Sequence, residues 1–235
     1  MSPDLSFFLI LGLRMAISAA FVVSASMIAE RVGPVIGALV ATLPISSGPM
    51  YVFLAFDHDA AFIAQGALVS LPINAATIFM SVAYAVLAQR QSMIVSAATA
   101  VAIWFGLAML MHSVHWSLAM AVAVNVVTFA ICLPLLQRYR HAKMPLITPR
   151  WYDVPLRASL VATLVAVVTS VSGWVGPVVT GVLAMYPTVF TSMMLILHPR
   201  IGGPPTAAVL ANGAYGMIGF TSAVGVLHVG ARYLG

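Results

Sequence analysis

Val32-Gly33-Pro34-Val35, followed by Pro44, returns later in the chain as Val175-Gly176-Pro177-Val178, followed by Pro187. A shift of 143 positions aligns residues 13–50 with residues 156–193 and gives 11 identities in 38 positions. The identities include an arginine, a Gly-Pro pair and a second proline, all in register. Because two unrelated apolar segments seldom share such residues, we infer that the chain contains a duplicated segment.

The composition predicts an integral membrane protein. Hydrophobic residues make up 62% of the 235-residue chain and charged residues only 6%. A helix needs about 20 apolar residues to cross the hydrocarbon core of a bilayer. We therefore predict an all-α polytopic fold with eight transmembrane helices in a single membrane domain over residues 1–235. The predicted spans are 7–29, 32–56, 60–88, 92–111, 116–136, 153–172, 174–197 and 204–231.

The duplication divides these spans into two repeats. The first repeat covers 7–88, the second covers 151–235, and residues 89–150 supply two linking helices and a basic loop. Five crossings separate equivalent helices, and since five is odd the second repeat is predicted to be inverted relative to the first. Inverted repeats with interrupted helices form the central binding site of many transporters.

The positive charge follows the predicted topology. Of ten Lys and Arg residues, seven lie in alternate loops, with the largest group in loop 137–150. Cytoplasmic loops carry an excess of these residues, so we predict a multi-pass cell-membrane protein with loop 137–150 in the cytoplasm and both termini outside. The expected partner of the basic charge is the lipid bilayer and not nucleic acid.

Pro44 and Pro187 lie near the middle of spans two and seven. Inside a helix, proline removes a hydrogen bond and clashes with the preceding turn, at a cost of about 3 kcal/mol. The freed carbonyl groups must meet protein, water or a solute because lipid offers no partner. Two interpretations stay open: kinks satisfied by neighbouring helices, or two discontinuous helices that cross at a shared binding site. The candidate site residues at this depth are Thr42, Pro44, Ser46, Ser47, Tyr186, Pro187, Thr188 and Thr191.

The order of the helices resembles a known transporter architecture. Three helices with a broken central one, two connecting helices and three inverted helices with a broken central one are similar to the fold of sodium/proton antiporters and bile-acid symporters. The resemblance rests on Pro44 and Pro187 and on no specific family motif. It implies a core of crossed, discontinuous helices against a panel, here reduced to spans four and five, and the small panel makes a homodimer a candidate assembly.

The distribution of acidic residues argues against proton exchange. All five Asp and Glu residues lie at or near helix ends, whereas antiporters of the resembled fold use carboxylates within the membrane. Oxygens of Ser, Thr and Asn side chains leave sodium as a candidate coupling ion. His112 and His115 lack a nearby acidic or thiol partner, so we predict no resident metal site and no cofactor.

Four further polar residues complete the candidate site. Arg14 and Arg157 are repeat-equivalent cations within spans. They either reach the headgroups with their long side chains, or attract an anionic substrate, or bond the broken helix beside them. Asn74 and Asn212 either join helices through hydrogen bonds or coordinate a solute beside the breaks.

Together these features predict a small secondary transporter or exporter of a small organic solute, anionic or zwitterionic, that works by alternating access at crossed broken helices. The alternative is a channel-like facilitator of a small solute or ion. The chain contains no HExxH motif, nucleophile elbow or phosphate-binding glycine loop, and we therefore predict no enzyme activity.

Overall fold

A computed structural model describes residues 3–32, 47–142 and 150–233. The predictions for Thr42, Pro44 and Ser46 lie outside the described residues. Within those ranges the secondary structure is helical. The helices are α1 (Pro3–Val32), α2 (Ser47–Asp57), α3 (Ala60–Leu87), α4 (Met93–His112), α5 (Leu118–Gln137), α6 (Asp153–Ala184), α7 (Thr188–Ile201) and α8 (Gly203–Tyr233).

Five of these helices, α3, α4, α5, α6 and α8, are long and apolar enough to cross a membrane. This confirms the predicted all-α class and indicates a membrane-embedded protein. Large apolar side chains such as Met109 on α4 and Val126 on α5 are exposed on the outside of the molecule. In a bilayer such side chains face lipid and need no protein partner.

Local caps explain where three of the helices begin. The side chains of Asp59, Ser92 and Ser117 each accept a hydrogen bond from the backbone N–H three residues further along. Such a cap satisfies one of the free N–H groups of the first turn. The gap predicted between spans 92–111 and 116–136 matches the structure to within two residues, since α4 ends at His112 and α5 begins at Leu118.

The central helix of the molecule is α3. It packs against α4, α5, α6 and α8, and its side chains are buried along nearly the whole helix. Small residues let the neighbouring backbones come close: a Cβ on Gly181 of α6 would overlap the carbonyl oxygen of Gly66. At the far end of α3, a Cβ on Gly203 would overlap the carbonyl oxygen of Ala88 in the same way.

The two short helices end at opposite ends of α3. With 28 residues, α3 is about 42 Å long. Helix α2 ends at Asp57, just before α3 begins, and we call this the Asp57 end of the molecule. The last turn of α7 reaches the other end of α3, where Tyr84 Oη lies 2.7 Å from His198 Nδ1. We call this the Arg200 end.

Helix α6 changes direction at Gly176. The φ angle of Gly176 is 75°, in the left-handed region that favours glycine. The predicted boundary between spans six and seven was at Gly173, but the helix continues up to the turn at Gly176. The chain leaves the helical conformation again after Ala184, and α7 begins at Thr188.

Candidate functional site

A cavity of about 360 Å³ lies at the Asp57 end, between α1, the end of α2 and the part of α6 that precedes Gly176. Its volume is near the lower end of the range usual for small-molecule sites. The cavity combines apolar walls with charged and hydroxyl side chains. Its polar lining is formed by Arg14, Asp57, His58, Thr169, Ser170 and Ser172.

Arg14 and Asp57 form a bidentate ion pair across the cavity. Both terminal nitrogens of Arg14 donate to the carboxylate, with 2.7 Å between Nη2 and Oδ1. The Arg14 side chain is 16% exposed and the Asp57 side chain 34% exposed. The pair fastens the end of α2 to α1 and stays accessible to water. Arg14 is thus bonded to the helix at the end of the second predicted span, which is one of the arrangements that the sequence left open.

His58 forms a second link across the cavity. Its Nε2 lies 2.8 Å from the Ser172 hydroxyl, and its ring stacks on Phe62 with 3.7 Å between the ring centroids. The Ser172 hydroxyl also contacts the Thr169 carbonyl at 3.0 Å. The turn between α2 and α3 is therefore bound to α6 by polar groups that line the cavity.

Polar side chains of α3 reach a different neighbouring helix at almost every turn. The Ser70 hydroxyl donates to the Gly181 carbonyl at 3.0 Å and lies 2.6 Å from the Tyr51 hydroxyl. It therefore joins α2, α3 and α6 near the close approach of Gly66 to Gly181. The Gly181 carbonyl in the second part of α6 thus receives a side-chain donor.

Asn74 belongs to a buried polar cluster one turn further along α3. Its Nδ2 donates to Asn125 Oδ1 of α5 at 3.1 Å and to Thr221 Oγ1 of α8 at 2.8 Å. Asn125 in turn donates to the Leu71 carbonyl at 2.7 Å. These bonds join three helices, which is the helix-joining role considered for Asn74. Its Oδ1 has no hydrogen-bond partner among the described residues.

The non-helical residues 185–187 bring four of the predicted site residues together. The Thr191 hydroxyl donates to the Pro187 carbonyl at 2.9 Å. The Tyr186 ring meets Trp104 of α4 edge-on, with 5.4 Å between the centroids, and Trp104 donates to the Thr77 hydroxyl of α3. The four residues are Tyr186, Pro187, Thr188 and Thr191.

A second bidentate ion pair lies at the Arg200 end. Arg200 Nη1 donates to Asp153 Oδ2 at 2.7 Å, and Nη2 donates to the other oxygen. The side chains are only 9% and 8% exposed. Arg157 lies one helical turn beyond Asp153, and its charge acts on the same carboxylate. Hydrogen bonds from Arg200 and Arg150 hold the pKa of the adjacent Tyr152 below its ordinary value.

Asn212 and Ser47 lie in other surroundings. Arg140 Nε donates to Asn212 Oδ1 at 2.8 Å, and the Arg140 guanidinium lies 4.0 Å from the Tyr215 ring centroid. Asn212 therefore connects α8 to the segment that follows α5. Ser47 is buried at the first residue of α2. The described site residues are thus distributed among both ends, the surroundings of the non-helical residues 185–187 and two hydrogen-bonded clusters.

Sequence reasoning missed the residues that complete the two ion pairs. Asp57 and Asp153 belong to the five acids at helix ends, and Arg200 belongs to the seven Lys and Arg residues of the loops. The shift of 143 residues places Asp57 on Arg200 and Arg14 on Arg157, but Asp153, the partner of Arg200, falls on Ile10, so the duplication predicts neither pairing. His58 and Ser172 had no signal either.

Comparison with known proteins gives no family for this chain. No protein-family model, curated protein or solved structure matches it. The resemblance to the antiporter and symporter fold therefore stays a prediction, and the function has to be inferred from the contacts described above.

Proposed function

We propose that this protein is a small secondary transporter that moves a small organic solute, anionic or zwitterionic, across the cell membrane by alternating access. In this proposal α1, α2 and α3 form one repeat, and α6, α7 and α8 form the inverted second repeat. The substrate passes beside the breaks in the two short-helix spans, and sodium is a candidate coupling ion.

The observation that carries the proposal is the agreement between the helix ends and the shift of 143 residues. Three helix ends in the first repeat fall on helix ends or turns in the second, to within one residue. The matched positions are Val32 with Val175 beside the Gly176 turn, Asp57 with Arg200 in the last turn of α7, and Ala60 with Gly203. Helices α2 and α7 end at opposite ends of α3. The short helices of the two proposed repeats therefore point in opposite directions, as an inverted repeat requires.

The interruption at 185–187 supports a discontinuous span. The segment of α6 after Gly176 contacts α3 at Gly66, and α7 contacts α3 at Tyr84, so both run along α3 in the same direction. We propose that they form one broken span whose two helical parts end beside Tyr186. Its equivalent in the first repeat is the second span predicted from the sequence, 32–56, of which the structure describes the part from Ser47 onward. Backbone groups freed at such a break require protein or solute partners.

The two ion pairs supply a closure at each end. Arg14–Asp57 fastens the end of α2 to α1, and Asp153–Arg200 fastens the end of α7 to the beginning of α6. Alternating access requires the two ends to open in turn, and a bond at each end that holds a short helix suits this requirement. In the proposed orientation the Asp57 end faces outward and the Arg200 end faces the cytoplasm. The apolar outer faces of α4 and α5 contact lipid or a second copy.

Counterflow in proteoliposomes tests the proposal. Purified protein is reconstituted, and uptake of labelled amino acids and small carboxylates is measured with and without the same unlabelled solute inside. We expect saturable uptake that internal solute accelerates. Uptake that rises linearly with concentration and ignores internal solute would indicate the channel-like facilitator instead. Absence of flux for every solute of both classes would contradict the proposal.

Two proline variants relate the flux to the break. Pro187→Ala removes the residue that precedes α7, and we expect a lower counterflow rate. Pro134→Ala is the matched control, because Pro134 lies inside the continuous helix α5. Equal rates for the two variants would argue that the interruption at 185–187 has no part in transport.

A further inference from the structure

We propose that the cavity at the Asp57 end binds a small zwitterion, with a carboxylate and an ammonium group a few atoms apart, as in an amino acid. This inference rests on the proposed transport function and names the substrate class. The cavity volume of about 360 Å³ suits a solute of this size.

The charges that line the cavity favour one class of ligand, a zwitterion. Among the described residues, Arg14 and Asp57 are the charged ones that line the cavity, and their charges cancel. A zwitterion also has no net charge and offers one partner to each side chain. A simple anion satisfies Arg14 but faces the carboxylate of Asp57, and a simple cation meets the opposite mismatch. Burying a charge without a partner is costly, so both simple ions are disfavoured.

The geometry of the ion pair allows an exchange of partners. Arg14 presents both terminal nitrogens to the Asp57 carboxylate, and a guanidinium binds any carboxylate in this bidentate manner. A ligand carboxylate can therefore take the place of Asp57 on Arg14, while the released Asp57 accepts the ligand ammonium. Since Asp57 is 34% exposed, the solute can reach the pair.

The wall formed by His58 gives the ligand fixed surroundings. His58 is held between Phe62 and Ser172, and the Ser172 hydroxyl is itself bonded to α6. Thr169 and Ser170 of α6 line the cavity together with Ser172. The Thr169 hydroxyl donates to the Val165 carbonyl at 2.7 Å and the Ser172 hydroxyl to the Thr169 carbonyl, so their oxygens remain acceptors for a donor of the ligand and add no permanent charge.

Binding by exchange would also open the Asp57 end. The bond that the ligand replaces is the one that joins the end of α2 to α1, so an occupied site frees α2 to move. An ion with a single charge can replace only one of the two charged groups, either Asp57 at Arg14 or Arg14 at Asp57. Binding of the zwitterion is therefore coupled to separation of α2 from α1 at the Asp57 end.

Ligand binding to the purified full-length protein tests the assignment. Each standard L-amino acid is titrated singly by calorimetry, and each ligand that binds is compared with its decarboxylated amine and its deaminated acid. We expect at least one amino acid to bind and both truncated analogues to lose tenfold or more in affinity. An acid or an amine that binds as tightly as the zwitterion, or no binding by any amino acid, would overturn the proposal.

Variants locate the binding in this cavity. Arg14→Gln and Asp57→Asn should each weaken binding tenfold or more. Arg14→Lys keeps the charge but loses the bidentate geometry, so it should also weaken binding in a protein with its charge balance intact. Asp59→Asn is the matched control: it removes an acid two residues from Asp57, retains a side chain that can cap α3, and lies outside the cavity lining. Wild-type affinity in both arginine variants would overturn the assignment.

The same preparations distinguish failure of the site from failure of the proposed function. Counterflow of another solute without zwitterion binding would leave the transporter proposal intact and remove the site. Zwitterion binding that depends on Arg14 and Asp57, without counterflow of that zwitterion, would leave the site intact and remove transport.

Discussion

The two ion pairs connect the same pair of elements in each proposed repeat, but with the charges exchanged. At the Asp57 end the first helix supplies the cation, Arg14, and the short helix supplies the acid. At the Arg200 end the first helix supplies the acid, Asp153, and the short helix supplies the cation. The contact between elements is thus alike in the two halves while the residues that make it differ.

The two pairs also differ in their access to water. The Asp57 carboxylate is 34% exposed and lies beside a cavity, whereas the Asp153 carboxylate is 8% exposed and is surrounded by Arg200, Arg157 and Tyr152. An accessible pair contributes little stability and can exchange partners, while a buried one is costly to break. We therefore expect the Asp57 pair to serve recognition and the Arg200 pair to serve stability.

Arg200→Ala should have the largest effect. It leaves the Asp153 carboxylate buried without its bidentate partner, and we expect a loss of about 3 kcal/mol in the free energy of unfolding. The measurement is reversible unfolding in mixed micelles of a mild detergent and dodecyl sulfate. The double variant Asp153→Asn/Arg200→Gln should lose less than Arg200→Ala. A loss below about 1 kcal/mol for Arg200→Ala would show that the burial of this pair does not matter.

Asp57→Arg should have the next largest effect. It gives position 57 the residue of position 200 and places two cations together, so we expect a loss of about 1 to 2 kcal/mol in unfolding free energy. Adding Arg14→Asp restores an ion pair with the polarity found at the Arg200 end. Most of the lost stability should return in this double variant, and a further decrease would mean that the Asp57 end depends on its present polarity.

Arg14→Ala should change stability by less than about 1 kcal/mol, because water can solvate the exposed Asp57 carboxylate. Counterflow of the bound zwitterion should nevertheless be lost. Unfolding and counterflow are measured on the same preparation, so that a folded but inactive protein is recognised. Retained counterflow would remove Arg14 from the proposed site.

Salt should produce the smallest effect and a different one at each end. The screening length falls from about 10 Å at 0.1 M to about 3 Å at 1 M ionic strength. We expect the unfolding penalty of Arg14→Ala to shrink by a few tenths of a kcal/mol over this range. The penalty of Arg200→Ala should not change measurably. Equal salt dependence of the two penalties would contradict the difference in water access between the two ion pairs.

Some local features of the fold could be predicted from particular residues. Gly176 marks a turn and Pro187 precedes the beginning of α7, because glycine and proline alter the backbone at their own positions. The capping residue Asp59 likewise begins α3 through a bond to the backbone of Phe62. Such signals act within a few residues and need no knowledge of the remaining chain.

The partners of the polar side chains could not be predicted in this way. Arg14 meets Asp57 across 43 residues, and Asn74 meets Thr221 across 147 residues. In a soluble helix an apolar stripe shows which face is buried, but a membrane helix is apolar both toward lipid and toward protein. The direction in which α3 presents Asn74 therefore leaves little trace in the pattern of hydrophobic residues.

The sequence by itself determined the apolar all-α character of this protein and the capped beginnings of helices such as α3, because both depend on local composition and backbone chemistry. Only the tertiary structure decided that α3 is central, that one ion pair is open and the other buried, and that a cavity lies beside the open pair. Those properties depend on which faces of distant helices meet, and the close packing of small residues such as Gly66 and Gly181 brings those faces together.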